Sequence, residues 1–254
     1  MQLATGGSML NFGCWDGVEN PVAAQSNLCA LVGDIAELCS ANRLIDVGSG
    51  LSAPAMQWKS TYNSVNICCV NINYKQLSLA SKSVREGNVN DISFVNATST
   101  ALPFSEGSAD RIVALESAQH FKPLEQFIIE SRRVLKPDGF LVIALPVVKL
   151  DAKHLKTAMK LGILSFTWSS EHYGLDYVKF TIENNGFKIR DIQHIGHSVY
   201  EPLTDYYVEN RKSLSQNILK EYPSFVESIL YKSLLKMKDA SAKGIIDYVI
   251  VKAS

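Results

Sequence analysis

The sequence predicts an α/β fold: one mostly parallel sheet of about seven strands, helices on both faces, and a helical cap. Three observations predict it. Residues 44–50 are a short apolar run, Leu44-Ile45, closing on an acid and a glycine turn, Asp46-Val47-Gly48-Ser49-Gly50, as a buried strand does when it turns sharply into a helix. Short apolar runs then alternate with segments of helical periodicity as far as residue 145, the pattern of a parallel sheet covered on both faces. Finally, two more strand-like runs, 187–195 and 245–251, flank a long helical stretch.

The elements follow in order. Asn20-Pro21 opens a helix, asparagine as cap and proline in the first turn, and Leu28, Leu31, Val32, Ile35 and Leu38 recur at helical spacing to about residue 40. The Asp46 strand is followed by a helix over 51–60, a second strand over 65–70 and a helix that buries Leu77, Ala80 and Val84. Residues 92–95 and 109–115 read as the third and fourth strands. Pro123 starts a helix carrying Leu124, Phe127, Ile128, Val134 and Leu135, and Lys136-Pro137-Asp138-Gly139 stops it with turn chemistry before a fifth strand over 140–145. Tyr206, Tyr207, Ile218, Tyr222, Phe225, Val226 and Ile229 mark the helical stretch of the final third.

Composition bounds the function. The chain has 254 residues, 46% hydrophobic and 20% charged, so it can bury a large core, and no linker or repeat divides it. We expect one domain over 1–254: an N-terminal cap (1–41), a cofactor-binding core (42–148), then cap helices and C-terminal strands (149–254). The 25 basic residues balance the 25 acidic ones, which gives no footprint for nucleic acid. Cys14, Cys29, Cys39, Cys68 and Cys69 lack metal or redox spacing, so reduced thiols in a cytoplasmic protein are expected. His154, His194 and His197 show no ligand-like spacing, so no metal site is expected. No basic-then-apolar leader is seen, and the longest apolar run, 140–148, is too short to span a bilayer.

A strand-to-helix turn of this kind holds the polar end of a nucleotide-like cofactor. Asp46, just ahead of Gly48, favours a cationic group there and would repel a pyrophosphate. Gly48-x-Gly50-x-x-Ala53 also satisfies the dinucleotide fingerprint, so a nicotinamide-dependent oxidoreductase stands as an alternative, as does a tight turn with no ligand.

Four stretches together resemble the class I S-adenosylmethionine (SAM)-dependent methyltransferases, in their small-molecule branch of ubiquinone, menaquinone and natural-product enzymes. Asp46-Val47-Gly48-Ser49-Gly50 matches D-x-G-x-G, and Ala101-Leu102-Pro103-Phe104 matches the stretch after the third strand. Ala109-Asp110-Arg111-Ile112-Val113 matches F-D-x-V, and residues 134–140 match V-L-K-P-G-G. The resemblance covers roughly residues 10–200. It implies a Rossmann-like fold with a seven-stranded, mostly parallel sheet and a reversed C-terminal hairpin. It also implies SAM as cofactor, S-adenosylhomocysteine (SAH) as product, and a small, partly hydrophobic acceptor methylated on O, N or C. A SAM-binding protein without catalysis remains an alternative.

Candidate roles follow from the same resemblance. Asp46, Gly48, Ser49 and Gly50 would meet the methionine portion. Asn71 stands where the family usually has an acid for the ribose hydroxyls; Ile72 follows it, and Gln76 completes an N-I-x-x-x-Q pattern in which a subset of the family turns glutamine toward the ribose. Asn96-Ala97 replaces D-A beside the adenine, keeping an acceptor oxygen and a backbone N–H. Glu116, Ser117 and His120 form E-S-x-x-H after the fourth strand, with Glu116 and His120 as catalytic candidates and His120 as general base. Phe12 and Trp15 would shield the sulfonium, or else staple the first helix. His172-Tyr173 fits an acceptor pocket and a surface turn equally well. The acceptor and the oligomeric state are not legible.

Overall fold

The structure, a computed structural model, describes residues 9–149 and 173–254. His154 and His172, and the stretch 150–172 of the expected cap, lie outside the described residues. The described residues fall into two compact units.

The larger unit comprises Cys29–Leu145, Asp176–Gln193 and Val249–Ser254 and carries the sheet. Its strands are β1 (Arg43–Val47), β2 (Asn66–Asn71), β3 (Ile92–Asn96), β4 (Ala109–Leu115), β5 (Leu135–Val148), β6 (Ile189–His194) and β7 (Ile246–Ala253), in the order β3-β2-β1-β4-β5-β7-β6. The β1–β2, β2–β3, β1–β4 and β4–β5 pairings are parallel. β7 runs the other way: Lys188 exchanges two backbone hydrogen bonds with Ser254, while the Ile195 amide bonds Tyr248. The reversed C-terminal pair is therefore present, with β7 inserted between β5 and the edge strand β6.

Burial explains the order. Leu44, Ile45, Asp46 and Val47 of the central β1 are all buried, so both its faces are covered. At the two edges, β3 and β6 carry only half-buried and exposed positions. The covering helices are α1 (Pro21–Ile35), α2 (Ala53–Thr61), α3 (Tyr74–Glu86), α4 (Leu124–Val134) and α5 (Leu175–Asn184). α3 buries Leu77, Ala80 and Val84, and α4 buries Leu124, Phe127, Ile128, Ser131 and Val134, so the helical spacing in the sequence picked the right faces.

Two boundaries moved. α1 stops at Ile35 rather than near residue 40, because Glu37 takes a left-handed conformation (φ 51°) and starts a 3₁₀ turn over Leu38–Ser40. The turn over 136–139 interrupts a strand rather than preceding one. Leu135 already pairs with Ala109 and Phe140 resumes with Arg111, so the four residues between loop out of the ladder.

The smaller unit consists, among the described residues, of 9–28, 146–149, 173–175 and 194–248. Its long helical stretch is two helices, α6 (Tyr200–Glu221) and α7 (Ser224–Ala242), broken at Tyr222-Pro223. Arg211 forks onto the buried Glu227 at 2.8 and 2.9 Å, and Thr204 Oγ1 donates to the Leu234 carbonyl at 3.0 Å, tying the two together. No helix of the described residues is long and apolar enough to cross a membrane.

Candidate functional site

The site is assembled at the carboxyl ends of β1, β2, β3 and β4. Strand register does most of the work: Val47 pairs with Val70, and Asn71 lies level with Asn96. Open α/β sheets bind ligands at that edge. A shallow depression lined by Arg43, Asn66, Cys68, Asp91 and Ser93 opens at the opposite, amino edge of β1–β3.

After Val47 the chain turns through Gly48 (φ +79°) and Gly50 (φ +55°), a left-handed path that glycine follows without strain. The expectation that the crest leaves its N–H groups open holds only in part. The Gly48 and Ser49 amides both donate to the Val70 carbonyl, at 2.8 and 3.1 Å, which clamps the turn to β2. The Gly50 and Leu51 amides have no partner among the described residues. Gly48 also has an internal reason to lack a side chain: a Cβ there would sit 2.4 Å from Ser117 Cβ and 3.3 Å from the Phe121 ring. Ser49 is buried, and its hydroxyl accepts from Ser52 Oγ at 3.2 Å.

Asp46 is 3% exposed, and its Oδ2 is buried with no hydrogen-bond partner among the described residues. Burial raises its carboxyl to about 7. The titratable groups facing it are thiols: Cys29 of α1, and Cys69 and Cys68 of β2, each itself raised by burial. A buried carboxylate without a donor is costly, so this atom is either protonated or kept for a cation.

The nucleoside-type residues form an amide network. Asn71 Nδ2 donates to Gly50 O (3.3 Å) and Gln76 Oε1 (2.9 Å), and Asn71 Oδ1 accepts from the Asn73 amide (3.2 Å). Asn96 Nδ2 donates to two backbone carbonyls, Asn71 O at 2.8 Å and Ile72 O at 2.9 Å, so its oxygen faces away from both. The asparagine at 96 thus has a structural cause, because an aspartate would set its charge against two carbonyl oxygens. Ile72 is 75% exposed beside this network, and Ala97 is half-buried.

Beyond β4, Glu116 takes φ 49°, unusual for a residue with a Cβ, while its amide donates to Ala144 O at 2.8 Å. Ser117 Oγ donates to the Val47 carbonyl at 2.6 Å. His120 is exposed and ends the 3₁₀ turn Ala118–His120. Two features were missed in the sequence. Gln119 is buried, with Nε2 on the Glu116 carbonyl (2.8 Å) and Oε1 without a partner among the described residues; its place inside E-S-x-x-H was the available signal. Asn73 caps α3 through the Gln76 amide.

The other two candidates, Phe12 and Trp15, are 5% exposed in the smaller unit. Phe12 packs edge-on to Tyr200 and Tyr248, and Trp15 lies 5.4 Å from the Tyr206 ring. In the same unit His194 Nδ1 is 2.6 Å from Asp247 Oδ2, which also takes Lys149 Nζ at 2.7 Å, a cluster that sequence spacing gave no means of seeing. Among the described residues no group of three or more His, Cys, Asp or Glu could hold a metal ion.

The chain is similar to known methyltransferases. A family model described as a methyltransferase domain matches residues 45–143. Erythromycin 3''-O-methyltransferase of Saccharopolyspora erythraea is 27% identical, the match covering 99% of this chain and 85% of that protein. Methyltransferase GfsG of Streptomyces halstedii is 31% identical over 63% of this chain and 57% of its own length. The structure of the cyclopropane synthase MmaA2 from Mycobacterium tuberculosis superposes with a TM-score of 0.82 at 18% identity, covering 95% of this chain and 88% of that one.

Proposed function

We propose that the chain is a SAM-dependent methyltransferase and that it methylates a hydroxyl oxygen of a small, partly hydrophobic molecule, with residues 1–254 acting as one catalytic domain. The observation that carries the choice of oxygen is the near-complete alignment with an O-methyltransferase of natural-product chemistry.

The residues present fit the cofactor. Asp46 has a buried oxygen without a donor, which suits an ammonium; the Gly50 and Leu51 amides suit the neighbouring carboxylate; Asn96 has an acceptor turned away from its two carbonyl partners, which suits the adenine amino group. Ser49, Ile72, Gln76 and Ala97 would complete the lining. When bound, SAM supplies a methyl group on a sulfonium, open to in-line displacement by the acceptor oxygen.

On the protein side, His120 would take the hydroxyl proton, with Glu116 ahead of it in the segment that follows β4. General-base catalysis contributes about 10²–10⁴ in rate, while alignment of two reactants contributes on the order of 7–11 kcal/mol, so positioning is the larger part. The test is incubation of the full chain with methyl-labelled SAM and a panel of hydroxylated glycosides, macrolides, phenols and amines. Label entering a hydroxyl, with SAH released, is the expected result. Label entering amines alone, or no stabilisation by SAH, overturns the reading.

A further inference from the structure

Between β3 and β4 the chain changes character at Leu102. From there on, its peptide groups are bonded to α4. Glu130 Oε2 accepts from the Leu102 amide at 2.8 Å, and Arg133 donates to the Leu102 and Phe104 carbonyls at 2.8 and 2.7 Å. The Gly107 and Ser108 amides then donate to the Arg133 and Val134 carbonyls at 3.0 and 2.8 Å. Between the two gripped residues the Phe104 amide donates to the Leu102 carbonyl at 2.8 Å, a tight turn that the fixed φ of Pro103 suits. Ahead of Leu102 the situation is reversed. The Ala97, Thr98 and Ser99 amides have no partner among the described residues. Thr98 is tied only to the two residues before the grip, its hydroxyl accepting from the Thr100 amide at 3.3 Å and its carbonyl from the Ala101 amide at 3.4 Å.

The grip is a single ion pair. Glu130 and Arg133 stand three residues apart on α4 and meet twice, Arg133 Nε on Oε1 at 2.9 Å and Nη2 on Oε2 at 2.7 Å. This contact holds the Glu130 carboxyl below its ordinary value, so the pair stays charged at neutral pH. The guanidinium still has hydrogens for both carbonyls, which the point charge of a lysine could not span in the same way. We propose that Glu130 and Arg133 are positioning residues for base recognition: by fixing the chain at Leu102 and Phe104, they hold the unpartnered amides of residues 97–99 where a purine edge meets them. The proposal rests on the SAM-binding reading above and adds what keeps that segment in place. With no bond from those amides to the sheet, the segment is set by its two ends, β3 on one side and the ion pair on the other.

The test is titration of the full chain with SAH and with S-inosylhomocysteine, whose base carries a 6-oxo group and an N1–H where adenine has an amino group and a bare nitrogen. A backbone donor held in place faces a second donor in that analogue, so the unaltered chain should bind SAH roughly tenfold or more tightly. Arg133→Ala should weaken SAH by about tenfold and the analogue by much less, so that the preference narrows. Arg133→Lys keeps the charge beside Glu130 and should melt closer to the parent, yet show the same narrowing; it carries the test should Arg133→Ala fail to fold. A merely structural pair would weaken both ligands alike. That result, a parental preference in Arg133→Lys, or an unaltered chain that binds the two ligands equally overturns the proposal. Failure of SAH itself to bind strikes the SAM reading instead.

Discussion

The Ser117 hydroxyl donates to the Val47 carbonyl at 2.6 Å, and the same side chain occupies the space that a Cβ on Gly48 would need, 2.4 Å away. The turn after β1 and the turn after β4 are thereby locked together, so the glycine of D-x-G-x-G answers to the protein's own packing as well as to its left-handed φ. Gly48→Ala should lose both folded stability and SAH binding. Ser117→Ala should cost about 0.5–1.5 kcal/mol, the net worth of a typical hydrogen bond, with a smaller loss of SAH affinity. Thermal melts and SAH titrations of both variants check this; a Gly48→Ala protein as stable as the parent would break the argument.

Asn96→Asp replaces a double donor to Asn71 O and Ile72 O with a charge facing both. Since position 96 is exposed, water relieves part of the repulsion. The variant should melt below the parent by about 2–4 °C near neutral pH, and the gap should close in acid as the new carboxyl takes up a proton. A gap independent of pH would place its cause elsewhere.

Much of this was legible in the sequence, for identifiable reasons. Continuous apolar runs mark strands buried on both faces, and the Leu77, Ala80, Val84 spacing marks the face of α3, so the sheet could be drafted from pattern alone. The two asparagines could be placed at strand ends but not understood there. That Asn96 bridges two carbonyls of the neighbouring strand end, and that Asn71 fixes Gln76, depend on the level register of β2 and β3, which side-chain pattern does not encode. The end of α1 was missed because Ala36-Glu37-Leu38 keeps helical spacing while the Glu37 backbone turns left-handed. The 136–139 excursion was placed correctly as a turn, but Leu135 was assigned to the helix because its strand partner, Ala109, is far away in the chain.

Asp46 makes stability depend on pH in a stated direction. Burial lifts its carboxyl from 3.8 to about 7, so the folded chain holds a proton that the unfolded chain releases above its own, lower pKa. Stability of the ligand-free protein should therefore fall as pH rises from about 4 toward about 7, then level off. Asp46→Asn should remove that slope and should weaken SAH more than it weakens methylthioadenosine, which lacks the amino-acid end. Melting temperatures of the two proteins at several pH values, taken as a difference, isolate this group from the other titrating residues. Parallel curves would mean that Asp46 is already ionised in the folded chain.

His120 closes the 3₁₀ turn that follows β4 and is exposed, and its place after the strained Glu116 puts it at the carboxyl edge of the sheet. An imidazole there can serve as a base by accepting the proton of a hydroxyl acceptor. His120→Ala should lower kcat by about 10²–10⁴, with SAH affinity unchanged, because the cofactor contacts argued above lie at the ends of β1, β2 and β3 and at the start of α3. His120→Gln separates the two roles of the ring. Glutamine can keep a hydrogen bond but cannot accept a proton at neutral pH, so recovery of turnover in that variant would show that positioning is what the histidine supplies. Loss in both variants assigns it the proton.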